Sequence, residues 1–286
     1  MPVRPLLFLH SAARDDIGDL ITRRPLPSPR LPQLDPFLFL NHHGPQTYPP
    51  HNRGLPFGPH PHRGFETITF IVEGSLSHAD TGGHESIIDA GGVQWMTAGS
   101  GLIHAELSPE RFKRDGGPME ILQLWLNLPA RLKMTPPRYS GLQKSDIPVV
   151  SPKPGVRLNL IAGSHGDTEG PVASLTDTFM ATIDLSAGAE ITLSAPADRT
   201  VFLYVVRGEA MIDGAPVAKW NLAQLGDGDE VRIFAEREAL LLFGHSAPLR
   251  EPVVAHGPFV MNTREEILEA VRDYQNGKFG DTADLV

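Results

Sequence analysis

The chain has 286 residues, a formal net charge of −9 and no cysteine. The acidic balance argues against direct binding to nucleic acid, because a phosphate backbone requires a basic protein face. Without cysteine there are no disulfides or thiolate ligands, so any metal must be held by His, Asp or Glu. No apolar run approaches the ~20 residues of a membrane span, and the short N-terminal run Leu6–Leu9 lacks the features of a signal peptide. The sequence therefore predicts a cytoplasmic protein that does not enter a membrane.

The 28 glycines and 27 prolines recur along the chain as punctuation and are not gathered in one tract. This pattern favours many short strands joined by turns. Residues 1–57 predict one short strand and then irregular coil. Asp35–Asn41 is predicted to be a buried strand within that coil, followed by a turn at His42–Pro45. The adjacent His42 and His43 would point to opposite faces of a strand, so they cannot both enter one site. They are expected to be ordinary residues without a functional role, and the alternative is that one of them lines the mouth of a cavity.

The next stretch alternates well enough to predict strands. Residues 65–72 alternate with bulky side chains on both faces, and the glycine pair in Thr81–His84 predicts a hairpin turn. His78 and His84 lie by that turn and are expected to be solvated. Val93–Thr97 and Met119–Leu128 are predicted to be further strands.

Two short pairs of ligand-type residues bracket this stretch. His60 and His62 are two residues apart, and so are His104 and Glu106. On extended chain, residues i and i+2 project to the same face, and the neighbouring prolines favour an extended path. A single histidine is more often an ordinary surface or core residue than a ligand. Two such pairs together predict that three imidazoles and one carboxylate converge on one divalent metal, which can be iron, copper, nickel or zinc.

The second half repeats the strand texture of the first. Val201–Ala210 is similar to Thr67–Leu76, with Gly208 aligned to Gly74. In this alignment the candidate ligands of the first pair have no counterpart, so one half is expected to hold metal and the other to serve structure or binding. The segment 129–137 is predicted to be the linker with at most one helical turn, which divides the chain into domains 1–133 and 134–286.

The end of the chain predicts one helix over Arg264–Tyr274. Asn262 or Thr263 can cap it, acidic residues fill its first turn, and Gly277 ends it. An apolar stripe should pack on a sheet, and it comprises Ile267, Leu268, Val271 and Tyr274.

These motifs resemble those of the pirin family, a group of two-domain cupins. The resemblance rests on the runs Pro59–Thr67, His104–Glu106, Trp125–Met134 and Gly257–Thr263. It implies an all-β fold of two cupin (jelly-roll) domains in tandem with a C-terminal helix. It also implies that His60, His62, His104 and Glu106 are the metal ligands, that the metal is typically iron(II) with other divalent ions accepted, and that the second domain lacks ligands. Glu66 matches the position of a liganding glutamate in many other cupins, and is expected to lie near the metal without binding it.

The same resemblance implies two functions. Several bacterial pirins are associated with quercetin 2,3-dioxygenase activity, whereas other pirins regulate transcription-factor complexes or central metabolism. The leading hypothesis is an iron-dependent dioxygenase of flavonols or other enolisable aromatics, with Glu106 as the catalytic base. Apolar residues that can hold a flat substrate, or equally be ordinary core, are Phe57, Phe65, Met96 and Leu122.

Two alternatives compete with this hypothesis. The first is a non-enzymatic regulator in which the oxidation state of the iron changes a surface that binds another protein. The second is a metal-dependent sugar isomerase or other small-molecule cupin enzyme, which ranks last because only Arg63 supplies a cation near the motif. The chain is expected to act as a monomer.

Overall fold

The computed structural model describes residues 1–283 and 285. Short strands dominate these residues, and the predicted all-β class is confirmed. The strands of the first half are β1 (Leu6–Ser11), β2 (Ala13–Arg14), β3 (Thr22–Leu26), β4 (Phe37–Tyr48), β5 (Phe57–His62), β6 (Phe65–Glu73), β7 (Ser75–Asp80), β8 (Glu85–Asp89), β9 (Val93–Thr97), β10 (Leu102–Leu107), β11 (Gly117–Asn127) and β12 (Arg138–Leu142). Those of the second half are β13 (Val149–Val150), β14 (Val156–Ala162), β15 (Ser164–His165), β16 (Thr168–Glu169), β17 (Phe179–Leu185), β18 (Glu190–Ser194), β19 (Thr200–Arg207), β20 (Glu209–Ile212), β21 (Ala215–Ala218), β22 (Asn221–Leu225), β23 (Glu230–Phe234), β24 (Ala239–Ser246), β25 (Val254–His256) and β26 (Phe259–Met261).

The helices among the described residues are α1 (Glu110–Asp115) and α2 (Arg264–Gln275), with 3₁₀ turns at Ala130–Leu132 and Lys144–Asp146. Neither helix has the length and apolar character that a membrane crossing would require. The 3₁₀ turn at Ala130–Leu132 agrees with the prediction of at most one helical turn in residues 129–137.

The strands form two compact units, and each has one seven-stranded and one four-stranded antiparallel sheet. The first unit comprises residues 14–23, 37–145 and 249–286, and the second unit comprises residues 1–13, 24–36 and 146–248. The sheet orders are β12-β9-β6-β11-β4-β3-β2 and β5-β10-β7-β8 for the first unit, and β1-β22-β19-β24-β17-β14-β13 and β18-β23-β20-β21 for the second. The two orders match strand for strand, so the weak internal repeat in the sequence corresponds to a repeated topology.

The composition of the units differs from the predicted domains 1–133 and 134–286 at both ends of the chain. It also differs in the middle, because the predicted linker 129–137 lies inside the first unit, which continues to residue 145. Strand β1 pairs with β22 through Leu9 and Ala223, which places the N-terminus in the second unit. Helix α2 buries Ile267 and Ala270 in one apolar cluster with Ile103 of β10, which places the C-terminus in the first unit. Pairing over such sequence distances leaves no local pattern from which a boundary could be read.

Helix α2 begins at Arg264, as the sequence predicts, and ends at Gln275, one residue beyond the predicted Tyr274. Thr263 is its N-cap, and its side chain and that of Glu266 form a capping box. The predicted apolar stripe is only partly right, because Leu268 and Tyr274 are 61% and 40% exposed. Ala270 takes part in the buried face instead, as its small side chain allows close approach to the neighbouring strands.

The core of the first unit places aliphatic and aromatic side chains between its sheets. One apolar cluster includes Ile71, Leu76, Ile88 and Ile121, with Phe57 packed at its side. Strand β4 runs through the predicted turn at His42–Pro45, so that prediction is wrong. Gly44 has φ +83°, and a side chain there would collide with the carbonyl oxygen of Met119, so this glycine serves a close approach of two strands.

Candidate metal centre

Three histidines from two neighbouring strands form one group in the first unit. His60 and His62 lie on β5, and His104 lies on β10. Each histidine offers one ring nitrogen, and these three nitrogens lie within 4.8 Å of one another. The ring centroid of His104 lies 4.3 Å from that of His60 and 5.0 Å from that of His62. The same-face prediction for the His60 and His62 pair and for His104 is consistent with this arrangement.

The strand register explains how the two pairs meet. His104 lies opposite His60, and Glu106 lies opposite Phe57. Two residues of β10 therefore match three of β5, and the extra residue forms a bulge at Gly58–Pro59. The bulge presents the carbonyl of Gly58 to His60, whose Nδ1 lies 2.8 Å from it.

Hydrogen bonds to carbonyl oxygens select the ring tautomers of two histidines. A carbonyl can only accept, so His60 Nδ1 donates to Gly58 and His62 Nδ1 donates over a longer 3.4 Å to Pro258. The lone pair of each Nε2 then remains available. In metal-binding histidines of other proteins, the N–H of the second ring nitrogen donates a hydrogen bond to a carbonyl or carboxylate in the same way.

His104 supplies the sharpest evidence that the group fits a ligand. It is 0% exposed, and neither of its ring nitrogens has a hydrogen-bond partner among the described residues. Leaving a buried polar group unpaired costs about 1–3 kcal/mol, so a partner is expected. Burial, together with His60 and His62, lowers the pKa of His104 well below its usual value, and burial lowers the pKa of His62 to about 3. Neutral imidazoles of this kind are good ligands for a borderline divalent metal, and the residues present therefore fit one.

Glu106 lies beside this group but is not a member of it. Its Oε1 accepts hydrogen bonds from Thr69 Oγ1 at 2.9 Å and from the side chain of Gln94. Gln94 is held in turn by the hydroxyl of Tyr139 at 3.2 Å. Because Thr69 and Gln94 belong to β6 and β9, the carboxylate is held towards the seven-stranded sheet. Its role as fourth ligand stays a prediction.

One face of the seven-stranded sheet lines the centre. The rings of Phe65 and Trp125 lie 5.1 and 5.4 Å from that of His62, and they lie 4.4 Å from one another. Met96 shares this face, because it is the register partner of Thr67, which is also the partner of Trp125. These side chains make an apolar, aromatic floor beside the histidines.

The other predicted lining residues divide. Phe57 is half-buried on β5 and its ring contacts that of His43 at 5.2 Å. Leu122 is on the opposite face of the sheet, since it alternates with Gln123 and pairs with Phe70, so its assignment to the lining is wrong. Trp125 and Gln123 were missed as lining residues. The polar residues Glu120 and Gln123 fall on opposite faces of β11, so the sequence offered no signal that could have identified the lining face.

The turn between β5 and β6 is tied down by two buried cations. Arg63 donates to the carbonyl of Ser100 at 2.7 Å and to Asp273 of α2 at 2.9 Å. Lys133 donates to the carbonyls of Gly64 and Val260 at 2.8 and 3.0 Å. The backbone that carries His62 is therefore anchored on both sides before any ligand binds.

Glu66 does not face the histidines. It alternates with Thr67 along β6 and accepts a hydrogen bond from Thr97 Oγ1 at 2.6 Å on the other face of the sheet. Its second carboxylate oxygen is buried without a hydrogen-bond partner among the described residues. Burial raises the pKa of Glu66 to about 7 despite the hydrogen bonds that lower it. The expectation that it lies near the metal is not supported by this orientation.

The raised pKa of Glu66 makes the free energy of unfolding depend on pH. Between the ordinary pKa of 4.5 and the folded value of about 7, the folded state binds the proton of Glu66 more tightly than the unfolded state does. The free energy of unfolding should therefore be greatest at low pH for this group and fall by ~3 kcal/mol as the pH rises through this window. Glu66→Gln should remove that slope, so that the variant gains on the wild type as the pH rises. Urea denaturation of both metal-free proteins at about pH 5, 6, 7 and 8 measures the difference, and parallel curves would contradict the assignment.

The Pirin family model matches residues 19–126, and the model of the pirin C-terminal cupin domain matches residues 180–280. Together these matches cover most of both structural repeats. They agree with the resemblance found in the histidine motifs and with the repeated sheet topology.

Several named proteins are similar to this chain over most of their own length. A Pseudomonas aeruginosa protein whose name provisionally assigns quercetin 2,3-dioxygenase activity is 40% identical over 248 residues, 86% of this chain and 87% of that protein. Human pirin is 38% identical over 90% of this chain and 87% of its own. The crystal structure of a quercetin 2,3-dioxygenase from Acinetobacter baumannii is 36% identical and superposes with a TM-score of 0.91 over 98% of this chain and 99% of that one. With both of its cupin repeats matched in this way, the chain belongs to the pirin family.

Proposed function

We propose that the histidine group and Glu106 bind one divalent metal ion, with iron(II) as the first choice, and that the protein is a dioxygenase of quercetin 2,3-dioxygenase type. Its substrates would be flavonols or related enolisable aromatics. The observation that carries the proposal is the buried His104, whose two ring nitrogens have no hydrogen-bond partner beside two further imidazoles. The names of the bacterial relatives support the reaction class.

The metal would be held by His60, His62, His104 and Glu106. When bound, a divalent ion lowers the pKa of a coordinated hydroxyl and provides a site for oxygen. Glu106 is the carboxylate beside the histidines, so it is suited to take the proton of the substrate hydroxyl. The hydrogen bonds from Thr69 and Gln94 hold one oxygen of Glu106 in place, which supports this role.

Aromatic side chains would orient the substrate and exclude water. Phe65, Trp125 and Phe39 form a continuous set of ring contacts, with Trp125 4.7 Å from Phe39. A flat flavonol can stack on or slot against such rings. Because Phe65 and Trp125 also contact His62, a substrate held there would lie next to the histidine group.

The proposal is tested by binding quercetin anaerobically to the iron-loaded protein and then admitting O2. We expect O2 consumption and a ring-opened product identified by mass spectrometry. Glu106→Gln should lower kcat by about 10²–10⁴-fold, as the loss of a general base does. The matched control is Glu85→Gln, an exposed glutamate on β8, which should react like the wild type. Metal-loaded protein that consumes no O2 and opens no ring would refute the enzymatic proposal.

One structural feature favours the regulatory alternative enough to test it in parallel. β5 lies at the edge of its sheet and His60 is only half-buried, so a change at the histidine group can alter the adjacent surface. A basic protein surface is the partner expected from the net charge of −9. Capture of a partner that changes with iron oxidation state, in the absence of turnover, would establish that function instead. We also infer that the chain works as a cytoplasmic monomer, which cell fractionation and size-exclusion chromatography with light scattering can test.

A further inference from the structure

The interior of the second unit is filled where the first unit has its histidines. Strands β18 and β23 occupy the places of β5 and β10 in the sheet order. They pair Ile191 with Ile233 and Leu193 with Val231, and all four side chains are buried in the apolar core. These four inward-facing positions therefore offer no metal ligands, and a ligand of the second unit must bind elsewhere.

Each unit has a mouth, defined here as the end of the seven-stranded sheet around Thr67 in the first unit and around Val201 in the second. The strand pairing at the two mouths is the same, but the side chains differ. In the first unit, Thr67 of β6 pairs with Trp125, and Trp125 pairs with Phe39. In the second unit, Val201 of β19 pairs with His245, and His245 pairs with Phe179. The topological match places His245 where Trp125 stands and Phe179 where Phe39 stands.

The aromatic set of the first unit also includes Phe65, and this position changes most. Phe65 lies two residues before Thr67, and the corresponding residue before Val201 is Arg199. The mouth of the first unit has three aromatic side chains. The mouth of the second unit has a phenyl ring, an imidazole and a guanidinium at the corresponding positions. The rings of Phe179 and His245 stack in parallel, 5.0 Å apart with an interplanar angle of 5°.

A cavity opens at this mouth. Its volume is about 670 Å³, and its lining includes Thr178, Phe179, Ser194, Arg199 and His245. Volumes of about 300–1,000 Å³ are typical of sites for small organic ligands. The stacked pair supplies a flat apolar side, and the hydroxyl of Ser194 and the guanidinium of Arg199 supply polar anchors.

The electrostatics beside Arg199 favour an anion, although the carboxylates of Asp177 and Glu169 also line the cavity. Arg199 is 13% exposed and donates from Nη1 to Asp177 Oδ2 at 2.8 Å, but the side chain of Asp177 is 90% exposed. Water screens the exposed carboxylate of Asp177 and weakens its attraction to Arg199, so a ligand carboxylate can take the place of Asp177. His245 Nδ1 and Arg199 Nε are buried without hydrogen-bond partners among the described residues. Burial, followed by the nearby charges of Arg199 and Arg4, lowers the pKa of His245 to about 4, so the imidazole is neutral.

We propose that the mouth of the second unit is a separate, metal-independent binding site for a small planar carboxylate. The ring of the ligand packs against the Phe179–His245 stack, and its carboxylate pairs with Arg199 in place of Asp177. This site does not depend on the dioxygenase proposed for the first unit, since each unit supplies its own residues.

The test uses benzoate as the probe and benzamide as its neutral analogue, with metal-free full-length protein and isothermal titration calorimetry. Benzoate should bind at one site per chain, and benzamide at least about 10-fold more weakly, because the charge-assisted pair is lost. Arg199→Met should weaken benzoate binding at least about 10-fold for the same reason. His104→Ala should leave binding unchanged, because that residue belongs to the other unit.

A second variant protects the test against a misfolded Arg199→Met protein. Asp177→Asn removes the competing carboxylate and should tighten benzoate binding about two- to fivefold. Asp177 has φ +52°, a conformation that asparagine tolerates. Asp213→Asn is the matched control, since Asp213 is also exposed, lies in the same unit and has φ +49°, and it should change nothing. The proposal fails if benzoate does not bind, if benzamide binds equally well, if Asp177→Asn has no effect, or if His104→Ala abolishes binding.

Discussion

Replacing His104 with alanine is expected to lower the affinity of the first unit for divalent metal by at least ~100-fold, since loss of a ligand should cost no less than loss of the groups that orient ligands. The three rings form a triangle, with centroid distances of 4.3 Å from His104 to His60, 5.0 Å from His104 to His62 and 4.9 Å from His60 to His62. It is also the histidine whose two nitrogens lack hydrogen-bond partners among the described residues, so no protein contact competes with a metal for it. Protein purified without chelators should contain metal in the wild type and almost none in His104→Ala.

Stability measurements separate loss of the site from loss of the fold. Metal that binds only the folded state stabilises it by ~3–4 kcal/mol when its concentration is about 100–1,000 times Kd. Wild-type protein should show this gain on addition of iron(II), nickel(II) or zinc(II), and His104→Ala should not. His84→Ala is the matched control, because His84 lies in the same unit with a side chain 44% exposed, and it should retain both metal and gain. Undiminished metal content in His104→Ala would show that the ion, if any, is held elsewhere.

The histidine group could be predicted because its signal is local. Period-two spacing places His60 and His62 on one face whatever the strand pairs with, and proline neighbours exclude a helix. His104 then needed only to lie on an adjacent strand. The position of Glu106 was harder to predict, since its orientation depends on Thr69 and Gln94, which come from two other strands.

Predictions failed where pairing between distant strands decides the outcome. His78 was expected to be solvated beside a turn, but it is 1% exposed because β7 lies between β10 and β8. Its Nε2 pairs with Asp80 at 3.0 Å, and its ring stacks on that of Tyr139. His42 was expected in a turn, yet it is buried on β4 and forms a 2.8 Å contact with the equally buried Glu120. Asp80 is only two residues from His78, but Tyr139 and Glu120 are far away in the sequence, so no local pattern indicates these two contacts.

The same limit applies to the faces of β11. Its sequence is apolar on both faces, so alternation gives no direction, and the register with β6 decides that Trp125 faces the histidines and Leu122 does not. A strand that is buried on both faces carries little information about which side holds a site. Register partners supply that information, and they also identify Arg199, Phe179 and His245 as the counterparts of an aromatic set in the other unit.

Gly64→Ala is expected to be among the most destabilising single substitutions in the first unit, at ~3–5 kcal/mol, since it combines an unfavourable backbone conformation with overpacking. Gly64 has φ +91°, and an added Cβ would overlap the carbonyl oxygen of Val260 and lie 2.8 Å from the sulfur of Met261. The neighbouring backbone cannot move away freely, because Lys133 bridges the carbonyls of Gly64 and Val260.

A matched glycine separates the two contributions. Gly83 has φ +84°, and a Cβ built there meets nothing within 4 Å, so Gly83→Ala should cost only the ~1–2 kcal/mol of the backbone conformation. Urea denaturation of both metal-free variants measures the difference, which should be ~2–3 kcal/mol. Because Gly64 follows the anchored turn that carries His62, its variant should also bind metal more weakly, whereas Gly83→Ala should bind it normally. Equal losses of stability at the two positions would mean that the junction with Val260 yields at little cost, and that this turn does not hold the histidine in place.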